Sequence, residues 1–430
     1  MDNKQEQNLR NIVLTMLVET LEKQGFSHIL LQDVYSRNDL NQKEKAFITR
    51  LYLGTLEQVL FLDHVIDQHA NIKTAKMKPV IRNILRMSLY QMLFMDSIPD
   101  HAAINEGVKL ADKRGFRSLK GFVNGILRSV QRQGIPEHVP EYIRCGVPEW
   151  LYELVLEQNG KEQTEQFFAS VNRTDAHVTA RMNLRKKSRE EILATLEEDG
   201  CQVSLAEDIP EAVVLESFPD LTGLRAYKEG LLFYQDISAM YPAILLAQLA
   251  GPDKVKQIVD VCAAPGGKSL HLAEKYPEAA ILSRDLTADK VRLIEENKTR
   301  MGADNVICQV FDALTLDDAL VGKADIVVAD LPCSGLGVIG NKPDIRYRVK
   351  EEDLSELSRL QKDILKTVQA YVAPDGLLSY STCTINQGEN EENAKWFQES
   401  FPFEMIREKR FLPGLCDCDG AYVAIFRRKA

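Results

Sequence analysis

The chain has 430 residues, 45% hydrophobic and 27% charged, with a formal net charge of −10. That length exceeds one ordinary core, so two or three domains are expected, and the composition is globular rather than disordered. No uninterrupted apolar run reaches membrane-spanning length, the N-terminus MDNKQEQNLR lacks the layout of a signal peptide, and eight scattered cysteines fit reduced thiols, so the expected compartment is the cytosol.

Residues 1–135 read as helical and define a first domain over 1–140. Stretches 46–62 and 80–95 are apolar at helical spacing. Leu119, Phe122, Val123, Ile126, Leu127 and Val130 form the stripe of a buried helix face. Three prolines and two glycines in QGIPEHVPEYIRCGVPEW (133–150) mark a linker. A small α+β segment follows, and with the linker it makes a second domain over 141–225. HVTARMNL (177–184) and EAVVLES (211–217) read as its strands and SREEILATLEEDG (188–200) as a helix.

From 226 to 430, strands and helices alternate. QIVDVC (257–262), AAILSRD (279–285), NVICQVF (305–311), ADIVVAD (324–330) and GLLSYST (376–382) read as buried strands, with TADKVRLIEENKTRMG (287–302) among the helices between them. This order predicts an α/β domain with a mostly parallel, doubly wound sheet.

The charge is unevenly spread. Residues 1–140 hold 19 Lys/Arg against 15 Asp/Glu, a balance of +4, and the remainder carries −14. Seven basic residues and one acid fall within 109–132, a cationic patch on an acidic protein. Arg117, Lys120 and Arg128 are the expected phosphate contacts there, and Arg181 is a further expected RNA contact in the locally basic stretch 181–189. Cys416 and Cys418 form a C-x-C, but no histidine lies nearby, so no metal is expected.

VDVCAAPGGKS places Gly266 and Gly267 directly after the first strand, where backbone N–H groups at a helix start can meet a ligand. A P-loop would need glycine at 262, which is Cys262, and the G-x-G-x-x-G fingerprint is absent. A nucleoside cofactor without pyrophosphate remains. Asp285, after the second strand, is the acid for its ribose hydroxyls. Asp312, after the third strand, is set to meet the adenine edge. S-adenosylmethionine fits this set better than NAD or ATP.

Cys333 in ADLPCSG and Cys383 in SYSTCT each end an apolar run at the edge where such a sheet opens onto a ligand. A thiolate beside a sulfonium methyl donor suggests methylation of carbon 5 of cytosine. Addition of sulfur to carbon 6 makes carbon 5 nucleophilic. Loss of the carbon 5 proton and elimination of the thiol then complete the cycle. Asp330 could meet the ring nitrogen edge, and Lys268 could orient Asp330 or favour a thiolate.

DVCAAPGGK (260–268), DLPCSG (330–335) and STCT (381–384) resemble the motifs of the RNA 5-methylcytosine methyltransferases, which carry a Pro-Cys and a Thr-Cys motif. The resemblance implies that Cys383 is the nucleophile and that Cys333 assists release of the covalent intermediate. It implies cofactor contacts at Cys262, Ala263, Ala264, Pro265, Gly266, Gly267, Lys268, Asp285, Asp312 and Asp330. Leu331 stands where alanine is usual, QGEN (387–390) replaces a common PEEN, and Ala421 replaces a frequent aromatic. DHAAINEGVKLA (100–111) with GFVNGILRSV (121–130) resembles the helical NusB-type RNA-binding domain. RMNLRKKS (181–188), after PEWL (148–151), resembles a small RRM-like segment. Together they resemble the branch acting on bacterial small-subunit (16S) ribosomal RNA, the Fmu/Sun type. The implied partner is that RNA, with no membrane, and the chain is expected to be a monomer. Two alternatives stay open: an assembly or antitermination factor with an inactive methyltransferase fold, and a transfer RNA cytosine-5 methyltransferase.

Overall fold

The computed structural model describes residues 3–172, 178–206 and 209–429. These fall into two compact units. One comprises residues 1–164 with 339–349, the other 165–338 with 350–430.

In the first unit, helices α1 (Asn3–Lys23), α2 (Ser27–Arg37), α3 (Gln42–Glu57), α4 (Val59–His69), α5 (Pro79–Phe94), α6 (Asp100–Lys113) and α7 (Lys120–Gln133) enclose one apolar core. The expected stretch 46–62 is split: the chain turns at Gln58, which leaves helical geometry. Asn41 starts α3 through a reciprocal cap with Glu44. The stripe read over 119–130 is the buried face of α7, with Val123, Ile126, Leu127 and Val130 inside. Residues 339–349 complete this unit. Arg346 is fully buried, and the Tyr347 hydroxyl donates to the carbonyls of Glu57 and Gly146 at 3.3 and 3.2 Å.

The expected linker is partly helical. Residues Glu141–Arg144 and Glu149–Val171 are helices, the second broken at Gly160, where φ is +73°. Within the expected linker (133–150) Gly146 and Val147 are buried and residues 133–140 are mostly exposed, whereas Leu151, Val155, Phe167 and Phe168, beyond it, are buried.

The second unit holds two sheets. The smaller contains β1 (Val178–Met182), β2 (Gln202–Leu205), β3 (Ala212–Ser217) and β4 (Leu232–Tyr234), antiparallel in the order β2-β3-β1-β4. His177, the first residue of the expected strand 177–184, lies outside the described residues. The helix Arg189–Glu198 begins at Ser188 with a capping box to Glu191.

The larger sheet comprises β5 (Gln257–Asp260), β6 (Ala280–Asp285), β7 (Val306–Val310), β8 (Ala324–Asp330), β9 (Val372–Thr382), β10 (Phe403–Phe411) and β11 (Ala421–Arg428). Its order is β10-β11-β9-β8-β5-β6-β7. Strands β9, β8, β5, β6 and β7 are parallel, as expected, and β10 and β11 add an antiparallel edge that the alternation of strand and helix did not reveal. From β5 the chain first builds toward β7, then returns to β8 on the other side. That reversal opens a crevice at the carboxyl ends of the strands.

Candidate active site

The expected cofactor and catalytic residues converge on that carboxyl edge, joined there by Asp260, which the sequence did not single out. Asp260 ends β5, Asp285 ends β6, Asp312 follows β7, Asp330 ends β8 and Cys383 follows β9.

The glycine loop is built for close approach. Gly266 has φ +106°, a conformation that side chains rarely adopt, and it starts the helix Gly267–Lys275. A Cβ on Gly267 would stand 3.2 Å from Phe233. The Asp285 carboxylate is buried and accepts from the N–H groups of Ala264 at 3.0 Å and Leu286 at 2.8 Å. It therefore ties the loop to the end of β6, and Lys290 pairs with it from outside at 3.1 Å. Asp312 is exposed and accepts from the Leu314 N–H at 2.9 Å. A narrow glycine cradle, helix N–H groups and an acid at the next strand end fit an adenosyl cofactor, with Ala263, Ala264, Pro265, Gly266, Gly267 and Asp285 the residues that would hold it. Cys262 sits at the base of this loop, and burial pushes its thiol up, so it remains protonated.

Lys268 reaches back to Asp330, with Nζ 2.6 Å from Oδ2. Burial works against its charge, but Asp330, Asp260 and Cys383 outweigh this and hold the ammonium above its ordinary range. Ser381 donates to the other oxygen of Asp330 at 2.7 Å. Asp260 lies behind this pair, fully buried, and takes the Ser269 hydroxyl at 2.6 Å. Burial, with some repulsion from Asp330, raises Asp260 to about 7.

The Cys333 and Cys383 sulfurs are 3.4 Å apart, and the Cys383 N–H points at the Cys333 sulfur at 3.3 Å. Cys383 is exposed, whereas Cys333 is partly covered. The hydrogen bond to Cys383, then burial, push the Cys333 thiol far up, so Cys333 keeps its proton.

Sequence reading missed a buried polar network beneath the two cysteines. Ser334, Gln361, Thr384, Asn386, Glu389 and Asn390 are all buried and bonded to one another. Its one trace in the sequence is QGEN, a motif variant.

Arg181, expected as an RNA contact, is corrected by the structure. It is fully buried, ion-paired with Glu274 and bonded to Gln235 at 3.1 Å. No phosphate can reach it. Its neighbours are likewise engaged. Arg185 donates to the Ala273 carbonyl at 3.0 Å, and Lys186 to that of Arg300 at 2.8 Å, both near helix C-termini, where cations are favoured. In the helical unit Arg117 is exposed, Lys120 pairs with Asp112 at 3.0 Å, and Arg128 donates to Gln131 at 2.9 Å.

Cys416 and Cys418, expected to be reduced, form a disulfide. Among the described residues, no group of three or more His, Cys, Asp or Glu could hold a metal ion, and no helix is long and apolar enough to cross a membrane.

Comparison with known proteins agrees with this arrangement. A family model for the 16S rRNA methyltransferase RsmB/F matches residues 247–426, one for the NusB family matches 7–132, and one for the RsmF/B-like ferredoxin-like domain matches 147–222. The probable ribosomal RNA small subunit methyltransferase B of Bacillus subtilis is 33% identical, over 98% of this chain and 99% of that protein. The ribosomal RNA small subunit methyltransferase B of Proteus mirabilis is 30% identical, over 99% and 100%. The crystal structure of PH0851 superposes with a TM-score of 0.85 at 25% identity, covering 98% of each chain. With a glycine-loop methyltransferase fold, a ferredoxin-like domain and a NusB-like helical domain in one chain, the protein belongs to the 16S rRNA methyltransferase RsmB/F family.

Proposed function

We propose that this protein methylates carbon 5 of a cytosine in small-subunit ribosomal RNA, using S-adenosylmethionine and a covalent adduct between Cys383 and carbon 6. The observation that carries this reading is the pair of sulfurs 3.4 Å apart, beside the Lys268–Asp330 pair and at the mouth of the glycine loop. Two cysteines so placed have no use in methylation of an already nucleophilic atom.

The exposed Cys383 attacks carbon 6 as a thiolate. Cys333, which keeps its proton, donates a hydrogen bond to that sulfur and stabilises it when it attacks and again when it leaves. Asp330, held by Lys268 and Ser381, faces the ring nitrogen and keeps a proton there while carbon 5 becomes nucleophilic. S-adenosylmethionine supplies the methyl group. A water molecule acting as base takes the carbon 5 proton, which expels the Cys383 thiolate from carbon 6 and restores the ring. Arg117, Lys120 and Arg128 on the helical unit supply phosphate contacts, and the relatives' names support ribosomal RNA as the substrate.

The test is transfer of labelled methyl from S-adenosylmethionine to unmodified small-subunit ribosomal RNA and, in parallel, to transfer RNA, with the product base identified. 5-Methylcytosine in ribosomal RNA, lost in Cys383→Ser, is the expected result. Label in transfer RNA alone would overturn the substrate. Unimpaired methylation by Cys383→Ser would overturn the covalent mechanism, and no label in either RNA would favour an RNA-binding assembly factor.

A further inference from the structure

We propose that Glu389, together with Asn390, is a positioning clamp that fixes the separation of the Cys333 and Cys383 sulfurs. The inference rests on the reading that Cys383 attacks and Cys333 assists.

Glu389 is completely buried, and its carboxylate takes four donors. Oε1 accepts from the Ser334 hydroxyl at 2.6 Å and from Asn386 Nδ2 at 3.1 Å. Oε2 accepts from the Ser334 N–H at 2.9 Å and from Gln361 Nε2 at 3.1 Å. Four donors use the acceptor sites of a carboxylate, which fixes its orientation. Ser334 directly follows Cys333, and Gln361 also donates to the carbonyl of Pro332, directly before it, at 2.9 Å. Both flanks of Cys333 are therefore held.

The same network holds the other cysteine. The hydroxyls of Ser334 and Thr384 lie 2.7 Å apart. Because Ser334 gives its proton to Glu389, Thr384 is the donor between them. Asn390 accepts from the Thr382 hydroxyl at 2.5 Å and donates to the Thr384 carbonyl at 2.9 Å. Thr382 and Thr384 are the two neighbours of Cys383. Consecutive residues 389 and 390 thus grip the flanks of two cysteines carried by adjacent parallel strands.

All four donors to the Glu389 carboxylate are neutral. Burial of a carboxylate without a bonded cation is expensive, and well-packed apolar residues would serve stability at least as well. What the carboxylate adds is two oxygens that accept in fixed directions, including bidentate capture of Ser334. A glutamine offers one oxygen, and its NH2 group would face a donor. The Glu389 charge also helps Cys333 retain its proton.

The test needs a readout of sulfur separation that does not depend on RNA chemistry. Diamide takes two hydrogens and two electrons from a pair of thiols, leaving a disulfide and the hydrazine. Closure of Cys333–Cys383 by diamide is followed by peptide mass spectrometry in wild type and Glu389→Gln. Closure about 10-fold slower in the variant, with lower kcat, longer-lived RNA adduct and unchanged affinity for S-adenosylhomocysteine, is the expected result, since small displacements of reacting groups cost this much or more. Closure and adduct lifetime equal to wild type would overturn the clamp. Should Glu389→Gln not fold, Ser334→Ala removes only the shared hydroxyl. It should slow closure in the same direction, and wild-type closure in that variant would equally overturn the proposal. Persistent methylation by Cys383→Ser would end the covalent reading without altering the closure rates, so the two failures are separable.

Discussion

The Cys333 sulfur lies 3.4 Å from that of Cys383 and also receives the Cys383 backbone N–H. The two differ in environment: Cys383 is exposed, while Cys333 is partly covered and its thiol is pushed far up by the hydrogen bond to Cys383 and by burial. In the proposed mechanism, removing the Cys333 thiol takes a hydrogen bond away from the departing sulfur. Cys333→Ala should slow release and accumulate a protein–RNA adduct that survives denaturing electrophoresis. Absence of such a band would assign Cys333 another role.

Asp330 is oriented from two sides, by Lys268 and Ser381. Asp330→Asn should reduce kcat by about 10²–10⁴-fold, the usual scale for loss of a positioned proton-handling group. Cofactor affinity, measured by titration calorimetry, should change far less. A mainly cofactor-binding defect would move Asp330 from the reacting base to the cofactor pocket.

Asp260 should impose a pH dependence on stability. Its carboxyl is raised from 3.8 to about 7 on folding, so between these values the folded state binds more protons than the unfolded chain. Stability is then highest at low pH and falls as pH rises through this window. Asp260→Asn should abolish that fall, gaining up to about 4 kcal/mol above pH 7 and little near pH 4. Denaturant titrations at pH 5 and pH 8 read the difference, and equal gains at both would contradict the assignment.

Arg181 and the helical-unit cations should separate cleanly in experiment. Arg181→Met leaves Glu274 buried without its partner, a change that typically costs about 3–5 kcal/mol. Its effect should appear in the unfolding midpoint and leave the salt dependence of RNA binding unchanged. Joint replacement of Arg117, Lys120 and Arg128 by glutamine should do the reverse, lowering the salt slope by about 0.7–0.9 for each phosphate no longer neutralised. An unchanged slope would remove these three from the RNA surface.

Much of the fold was legible in local pattern. ADIVVAD is strand β8 to the residue, because a continuous β-branched run is what a doubly covered parallel strand requires. The apolar stripe of α7 was equally plain, since burial on one side leaves a 3.6-residue period. Strand β10 escaped because Phe403–Phe411 buries only its two ends and carries the exposed run Arg407–Lys409, and only its pairing with β11 makes it part of the sheet.

The sequence by itself determined the chemistry on offer: two cysteines, a glycine loop, and acids at successive strand ends, all specified by residue type and short spacing. Tertiary structure alone decided which polar side chains are spent on architecture. Arg181 reads as a surface cation until Glu274, 93 positions away, takes its charge inside. Glu389 stands in the sequence only as part of a motif variant, QGEN, until Ser334, 55 positions away, closes on its carboxylate. Local sequence encodes propensity and period. Desolvation and hydrogen bonding depend on partners brought together only by the fold, and here those partners set the spacing of the two sulfurs.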